Sequence, residues 1–563
     1  MEIMTLFVTA LQEHPELAVF LTLALGFLIG KIKIGSFRLG TVVGTLLAGV
    51  IIGQMKILVP ATVKTVFFDL FLFTVGYKVG PQFFRGLKKD ALSQVALTVV
   101  LCVTSLITAF LAAKLLGFDV GTAAGLIAGA FTESTIIGTA GDAINRLALP
   151  EAQKTLLLNN IPVAYAATYL LGTIGVIWFL PAIGPKLMGI NLKDEAKKLQ
   201  VKLSAGTDSE LGLPTAYRPW EHRAYRFSGE PTTVAKFERV FRDKDERVFV
   251  QRIRHAGAVV EVTPVTVIDP GDLIAVMARH HVFLADEAAF GTELEDKELL
   301  SFPTVVLDVV LTNKELVGQT LEAIADQHAR GVALVKLVRG GQEMPFARNT
   351  TVERGDWLEI TGAQADVERT AMVLGYVERA SSETDMIFVG LGVVLGGLFG
   401  LLSVTIGGLP ITLTSSGGAL IGGLVFGWLR SVYPVFGRIP EAAIWVFDTV
   451  GLAVFIGVVG LSAGPTFLAG VQKSGLILLV VGAIVPILSH AVTILFGRYV
   501  LRMNPLIVLG ACAGAGTMTA ALRAVQEEAE SKLPALGYTV PYAVGNILLT
   551  AWGPVIVLLM NPR

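Results

Sequence analysis

Apolar residues gather in long blocks at the two ends of this chain, and the sequence between the blocks is polar. In the first part the blocks fall near 17–30, 35–55, 61–84, 91–116 and 157–182, close to or above the roughly 18–20 residues that cross a bilayer. A further stretch, 119–145, is dense in Gly, Thr and Ser and carries Glu133 and Asp142. Without the Leu/Val/Ile continuity of its neighbours it suits a broken or re-entrant segment. After residue 380 the order recurs, with spans near 385–405, 411–430, 443–471, 475–498 and 539–560 and a small-residue stretch at 508–524 in the re-entrant place. The pattern predicts an α-helical polytopic membrane protein with an inserted soluble α/β region. Expected boundaries are 1–190 for a first membrane repeat, 205–285 and 296–378 for two soluble domains, and 385–563 for a second membrane repeat.

The recurrence extends to individual residues. "FLFTVGYKVGPQFFRGLKK" from Phe71 aligns without gaps on "FIGVVGLSAGPTFLAGVQK" from Phe455, matching Gly76, Gly80 and Pro81 to Gly460, Gly464 and Pro465. Gly44, Gly49 and Gly53 of the second segment match Gly418, Gly423 and Gly427, and Pro162 and Ala164 match Pro541 and Ala543. These matches mark an internal duplication. The middle is doubled too: "VFVQRIRHAG…VIDPGDLIAVMA" parallels "VALVKLVRGG…TVERGDWLEITG", each with a Gly-Asp hairpin between strands. Charged linkers are expected at 193–202 and 378–385.

Composition agrees with burial in lipid: 53% of the 563 residues are hydrophobic and 16% charged, outside the range of soluble domains. A net charge of −1 gives no reason to expect nucleic acid. Cys102 and Cys512 lie in apolar segments and read as small buried hydrophobes, so neither a disulfide nor a metal cluster is expected. Glu2, Glu13 and Glu16 replace the basic start of a cleaved signal, so the first segment is expected to stay in the membrane.

With the N-terminus outside, the clusters Lys31/Lys33/Arg38 and Arg85/Lys88/Lys89 and the soluble middle are cytoplasmic. Lys56, Lys64, Lys114, Arg146 and Lys154 then lie outside, which weakens the rule in the first half. Five crossings per half invert the two halves relative to each other, the construction of many secondary transporters.

In such a fold the substrate binds where helices are interrupted. One candidate is the run Gly76-Tyr77-Lys78-Val79-Gly80-Pro81, read as a helix break in which Lys78 meets a carboxylate; its alternative is a kink with Lys78 snorkelling to the interface. Its counterpart, Gly460 to Pro465, has Ser462 in place of the lysine and includes Gly464. The other candidate is the pair Thr132-Glu133-Ser134-Thr135 and Gly514-Ala515-Gly516-Thr517, where Glu133 would bind an ammonium group or cation, or would be an end-of-helix glutamate. The polar run 412–418 reads as helix packing, Asp69 and Asp448 as interfacial carboxylates or caps, and His280-His281 as a solvated pair. No nucleophile–base pair or Walker-type loop occurs, so neither an enzyme nor an ATP-driven pump is expected, and no cofactor.

"FTVGYKVGPQFF", "GPTF" and the doubled membrane halves resemble the aspartate:alanine exchanger family of bacterial antiporters, and residues 317–362 resemble the C-terminal (TrkA-C) domain of potassium-channel regulatory subunits. The resemblance covers essentially the whole chain. It implies an inner-membrane antiporter exchanging aspartate for alanine, an electrogenic cycle because aspartate carries one more negative charge. Relatives are also described as exporting dicarboxylates such as succinate, so the substrate is a small anionic amino acid or a dicarboxylate. The resemblance places Lys78 and the backbone at 132–135 and 514–517 on substrate carboxylates, with Ser462 and Thr517 orienting them. Further expected partners are lipid, a small-molecule ligand of the central domains and a second copy in a homodimer. A ligand-gated channel and a receptor are the competing classes; no TVGYG-type filter is present to favour the channel.

Overall fold

The computed structural model describes residues 2–34, 37–38, 40–86, 91–203, 220–244, 246–285, 287–339, 342–378, 383–406, 409–412, 414–433 and 436–561. The chain forms two compact units, Met1–Ala196 with Ser381–Arg563, and Lys197–Ala380. The first is helical. Its main helices include α1 (Pro15–Gly30), α2 (Thr41–Gly53), α3 (Ala61–Gly86), α4 (Leu92–Leu115), α5 (Val120–Ala130), α6 (Thr135–Asn145), α7 (Glu151–Ala182), α8 (Met386–Gly400), α9 (Thr414–Val432), α10 (Gly451–Leu495), α11 (Pro505–Ala515), α12 (Thr519–Ala529) and α13 (Thr539–Met560).

Among the described residues, five helical stretches are long and apolar enough to cross a membrane: Leu92–Leu115, Glu151–Ala182, Glu441–Ala469, Gly475–Val500 and Thr539–Met560. Leu6–Glu13 and Pro15–Gly30, bent by 107°, would make a sixth if they form one span. The protein is a multi-pass membrane protein.

The spans expected at 35–55 and 411–430 begin differently from the sequence reading. Each helix is preceded by a short antiparallel pair, Lys33–Ile34 with Phe37–Arg38 and Ser403–Ile406 with Leu409–Thr412. A left-handed residue, Gly40 (φ 85°) or Thr414 (φ 66°), then turns the chain into α2 or α9. The linker expected at 193–202 is also helical, Leu192–Leu203, started by the Asn191 side chain accepting from the Lys193 and Asp194 N–H groups. Lys88 and Lys89, and part of the 378–385 linker, lie outside the described residues.

The two halves of the helical unit exchange partners. Gly76 and Gly80 of α3 rest on the Leu420 and Leu424 carbonyls of α9, while Gly460 and Gly464 of α10 rest on the Leu46 and Val50 carbonyls of α2. The expected breaks at Gly76, Pro81, Gly460 and Pro465 are absent: α3 runs unbroken through Pro81 and α10 through Pro465. A helical proline frees the carbonyl four residues earlier, here Tyr77 and Leu461. Gly427 of α9 lies against the Tyr77 carbonyl and Gly53 of α2 against the Leu461 carbonyl, so closely that a Cβ on either glycine would strike the oxygen. Gln54 also donates to the Gly464 carbonyl. The Gly-Pro motif is therefore a close helix contact, and the freed carbonyl is covered by the opposing half.

Helices α5/α6 and α11/α12 are two pairs of 11-residue half-helices. Each pair breaks at a left-handed threonine, Thr132 (φ 56°) or Thr517 (φ 57°). The same terminal bonds close both first halves: Thr132 N–H to Gly129 and Glu133 N–H to Ala128, Thr517 N–H to Gly514 and Met518 N–H to Ala513. Two residues past each threonine a hydroxyl meets a tyrosine, Ser134 with Tyr165 and Thr519 with Tyr538, both at 2.7 Å. Tyr165 thus corresponds to Tyr538, a different register from the Pro162/Pro541 and Ala164/Ala543 match of the sequence reading.

The second unit is built on two five-stranded sheets. Strands β1 (Trp220–Arg226), β2 (Val248–His255), β3 (Ala258–Glu261), β4 (Leu273–Arg279) and β5 (Thr292–Leu294) are ordered β3-β2-β4-β1-β5. Strands β6 (Thr304–Leu311), β7 (Val332–Arg339), β8 (Gln342–Met344), β9 (Trp357–Ala363) and β10 (Gly375–Val377) repeat that order as β8-β7-β9-β6-β10. The register shift between Val250 and Arg252 recurs between Leu334 and Lys336. Thr233 and Thr320 cap the equivalent helices, Val234–Arg242 and Leu321–His328. His280 and His281 are paired, at 2.9 Å with Glu221 and 2.8 Å with Glu246.

Candidate functional site

The unbroken helix α3, the two broken pairs, α13 and the start of α10 line a half-open cavity of about 170 Å³ in the helical unit. It is lined by Lys78, Thr132, Glu133, Ser134, Thr517 and Asp448, with Tyr542 and Asn546 from α13 and apolar walls from Phe71, Val75, Val79 and Leu452. That is below the roughly 300–1,000 Å³ of pockets for drug-sized ligands and matches a small molecule.

Charge in the cavity is arranged asymmetrically. Lys78 Nζ donates to Asp448 Oδ2 at 2.7 Å, across the two halves of the sequence. Both side chains are partly exposed, 39% and 29%, so the pair stays within reach of water and solutes. Glu133 is buried and accepts from Thr135 Oγ1 at 2.5 Å. Thr135 in turn meets Thr550 Oγ1 at 2.7 Å, which holds the carboxylate against α13. Thr517 Oγ1 donates to the Phe131 carbonyl at 3.4 Å, joining the two breaks. Left-handed threonines are strained positions, and both sit on the cavity wall. The arrangement offers one ammonium and two carboxylates to a small solute that carries both signs of charge.

Of the residues singled out in the sequence, Lys78, Thr132, Glu133, Ser134 and Thr517 come together on this cavity, and Thr135 stands directly behind Glu133. The others do not line it. Tyr77 points to the Gly437 carbonyl (2.9 Å), and Gly80 and Gly464 are helix contacts. Gly514 rests on the Tyr538 carbonyl, the Ala515 carbonyl abuts Gly545, and Gly516 lies against His490. Ser462 is exposed and donates to its own helix at Val458. Tyr542 and Asn546 were not singled out in the sequence, and Asp448, expected as an interfacial carboxylate or cap, lines the cavity instead. An acidic residue inside the apolar stretch 443–471 was the one available signal for Asp448.

Apolar spanning helices around a small polar cavity define a membrane transporter. The family described as a predicted permease membrane region, Asp-Al_Ex, matches residues 18–185 and 388–558, and this chain belongs to it. An uncharacterized transporter of Shewanella oneidensis is 40% identical over 98% of this chain and 99% of its own length. Another, from Bordetella bronchiseptica, is 41% identical over 97% and 96%. A protein of Tetragenococcus halophilus named as an aspartate/alanine antiporter is 31% identical over 97% and 98%. No solved structure matches the chain.

Proposed function

We propose that this chain is a secondary antiporter that exchanges L-aspartate for L-alanine across a bacterial inner membrane by alternating access. The observation that carries the reading is the cavity in which the Lys78–Asp448 pair faces the wall formed by Thr132, Glu133 and Thr517. Both substrates are α-amino acids. An α-carboxylate can take Lys78 from Asp448, and the α-ammonium then has Asp448 and Glu133 as partners. Succinate, with two carboxylates and no ammonium, would meet Asp448 and Glu133 with Lys78 alone to offset them, whereas aspartate and alanine each bring a cation of their own. The Tetragenococcus antiporter supports the same substrate pair.

Alternating access is supported by the twofold character of the helical unit: swapped glycine contacts, matched half-helices and equivalent Ser134–Tyr165 and Thr519–Tyr538 bonds. With a cytoplasmic middle region the two halves run inverted, and the two breaks meet at one midplane site. Each gradient drives the other without ATP, and each turnover moves one net charge. The middle unit, with two TrkA-C-like domains at 205–285 and 296–378, acts as a regulatory ligand-binding region, and the assembly is a homodimer.

A counterflow screen in proteoliposomes tests the assignment. Labelled aspartate should accumulate in vesicles loaded with aspartate or alanine and far less in vesicles loaded with succinate. Succinate exchange as fast as aspartate exchange would reassign the protein to dicarboxylates. Uptake of neither substrate under any loading would refute an antiporter.

A further inference from the structure

The doubled sheets of the second unit allow one copy to be read against the other. In the second copy, Arg339 at the end of β7 is buried against the Gly-Asp hairpin. Its Nε and Nη2 donate to Asp356 at 2.7 and 2.5 Å, and Nη1 to Glu353 at 3.4 Å. Asp356 also accepts the Glu353 N–H at 2.7 Å. A cation between these two carboxylates is thus built into the fold, supplied by the chain itself.

The same three places in the first copy are His255, Asp269 and Asp272. The carboxylates remain, and so does the hairpin bond, Asp269 N–H to Asp272 at 2.9 Å. The permanent cation is gone. His255 Nδ1 lies 2.9 Å from Asp272 Oδ1 and 3.9 Å from Asp269 Oδ2. One ligand atom from each residue falls within 4.8 Å of the other two. Asp272 is buried beneath the site, with its side chain 8% exposed, whereas His255 and Asp269 are open at 54% and 44%. Three protein donors on one side and open coordination on the other suit a single small ion.

We propose that His255, Asp269 and Asp272 form a divalent transition-metal site, in which the ion takes the place that the Arg339 guanidinium fills in the twin sheet. One imidazole and two carboxylates suit Zn²⁺ or Mn²⁺ better than a soft ion that needs thiolates. Binding requires the Nδ1 lone pair, so the proton that Nδ1 shares with Asp272 leaves as the metal enters. The ion would tie the end of β2 to the Gly271-Asp272 hairpin, as Arg339 ties β7 to its own. It would give the unit a stability set by metal concentration.

The test uses the full chain in detergent, stripped with chelator and titrated with Zn²⁺ by calorimetry and by thermal unfolding. His255→Arg installs the residue of the twin, and Asp272→Asn removes the buried ligand. The wild type should bind Zn²⁺ and melt higher with it. His255→Arg should bind one ion fewer per chain and, with chelator present, melt no lower than the wild type. Asp272→Asn should weaken the same ion by at least about tenfold. Unchanged Zn²⁺ stoichiometry in His255→Arg, or no Zn²⁺ binding by the wild type, would overturn the assignment.

Discussion

Replacing Gly427 by alanine tests the link between helix packing and the cavity. An alanine Cβ there would lie 2.8 Å from both the Cα and the carbonyl carbon of Tyr77, and closer still to its oxygen. Ordinary carbon–carbon contact needs roughly 3.5–4.0 Å. The obstacle is backbone in the middle of α3, so no rotamer change relieves it, and α3 must move away from α9 by about 1 Å. Overpacking of this kind costs about 1–3 kcal/mol. The residue after Tyr77 is Lys78, so the same displacement carries the ammonium away from Asp448 and Glu133. Misplacing a binding group by 1 Å can cost up to on the order of a hundredfold in rate. Gly427→Ala should therefore lower both the melting temperature in detergent and the counterflow rate, the latter by at least roughly tenfold. Gly390→Ala is the control, because nothing lies within 4 Å of a Cβ at that site. A Gly427→Ala protein that melts and exchanges like the wild type would refute the view that this contact positions Lys78.

Three further substitutions probe the cavity. Lys78→Met removes a charged hydrogen bond worth about 1.5–3 kcal/mol, so the KM for aspartate should rise roughly 10- to 150-fold in counterflow; an unchanged KM places the carboxylate elsewhere. Glu133→Gln removes an ammonium partner but no carboxylate partner. Aspartate and alanine exchange should fall by at least about tenfold while competition by succinate holds or strengthens, and an equal loss for all three would argue against an ammonium contact. Tyr165→Phe and Tyr538→Phe each delete one of the equivalent bonds at the breaks and should cost similar amounts, about 0.5–1.5 kcal/mol, in thermal unfolding. A loss confined to one of them would break the equivalence of the two halves.

Much of this was visible in the sequence because glycine and proline leave marks that side-chain chemistry does not blur. The gap-free match of Gly76, Gly80 and Pro81 to Gly460, Gly464 and Pro465 identified helices that take equivalent places, and the small-residue stretches held both left-handed threonines. The meaning of the prolines was not visible. A freed carbonyl reads as a break unless one knows that Gly427 or Gly53 arrives from the other half to cover it. Tyr542 and Asn546, and the place of Asp448 beside Lys78, escaped for a related reason: they lie hundreds of residues from Lys78, and only folding brings them to it. The last helices were matched on Pro162 and Pro541, whereas hydrogen bonding pairs Tyr165 with Tyr538. In the second unit the doubled Gly-Asp hairpins were legible directly, since strand order and bulge follow the same local pattern twice.

If exchange runs through the Lys78–Glu133 cavity, uptake must depend on what is loaded on the far side of the membrane. Purified protein in liposomes is given labelled aspartate outside, with alanine inside or with nothing inside. Uptake should be rapid into alanine-loaded vesicles and almost absent from empty ones, and the difference should be lost in Lys78→Met. Equal uptake into loaded and empty vesicles, or trans-stimulation undiminished in Lys78→Met, would contradict exchange through this cavity.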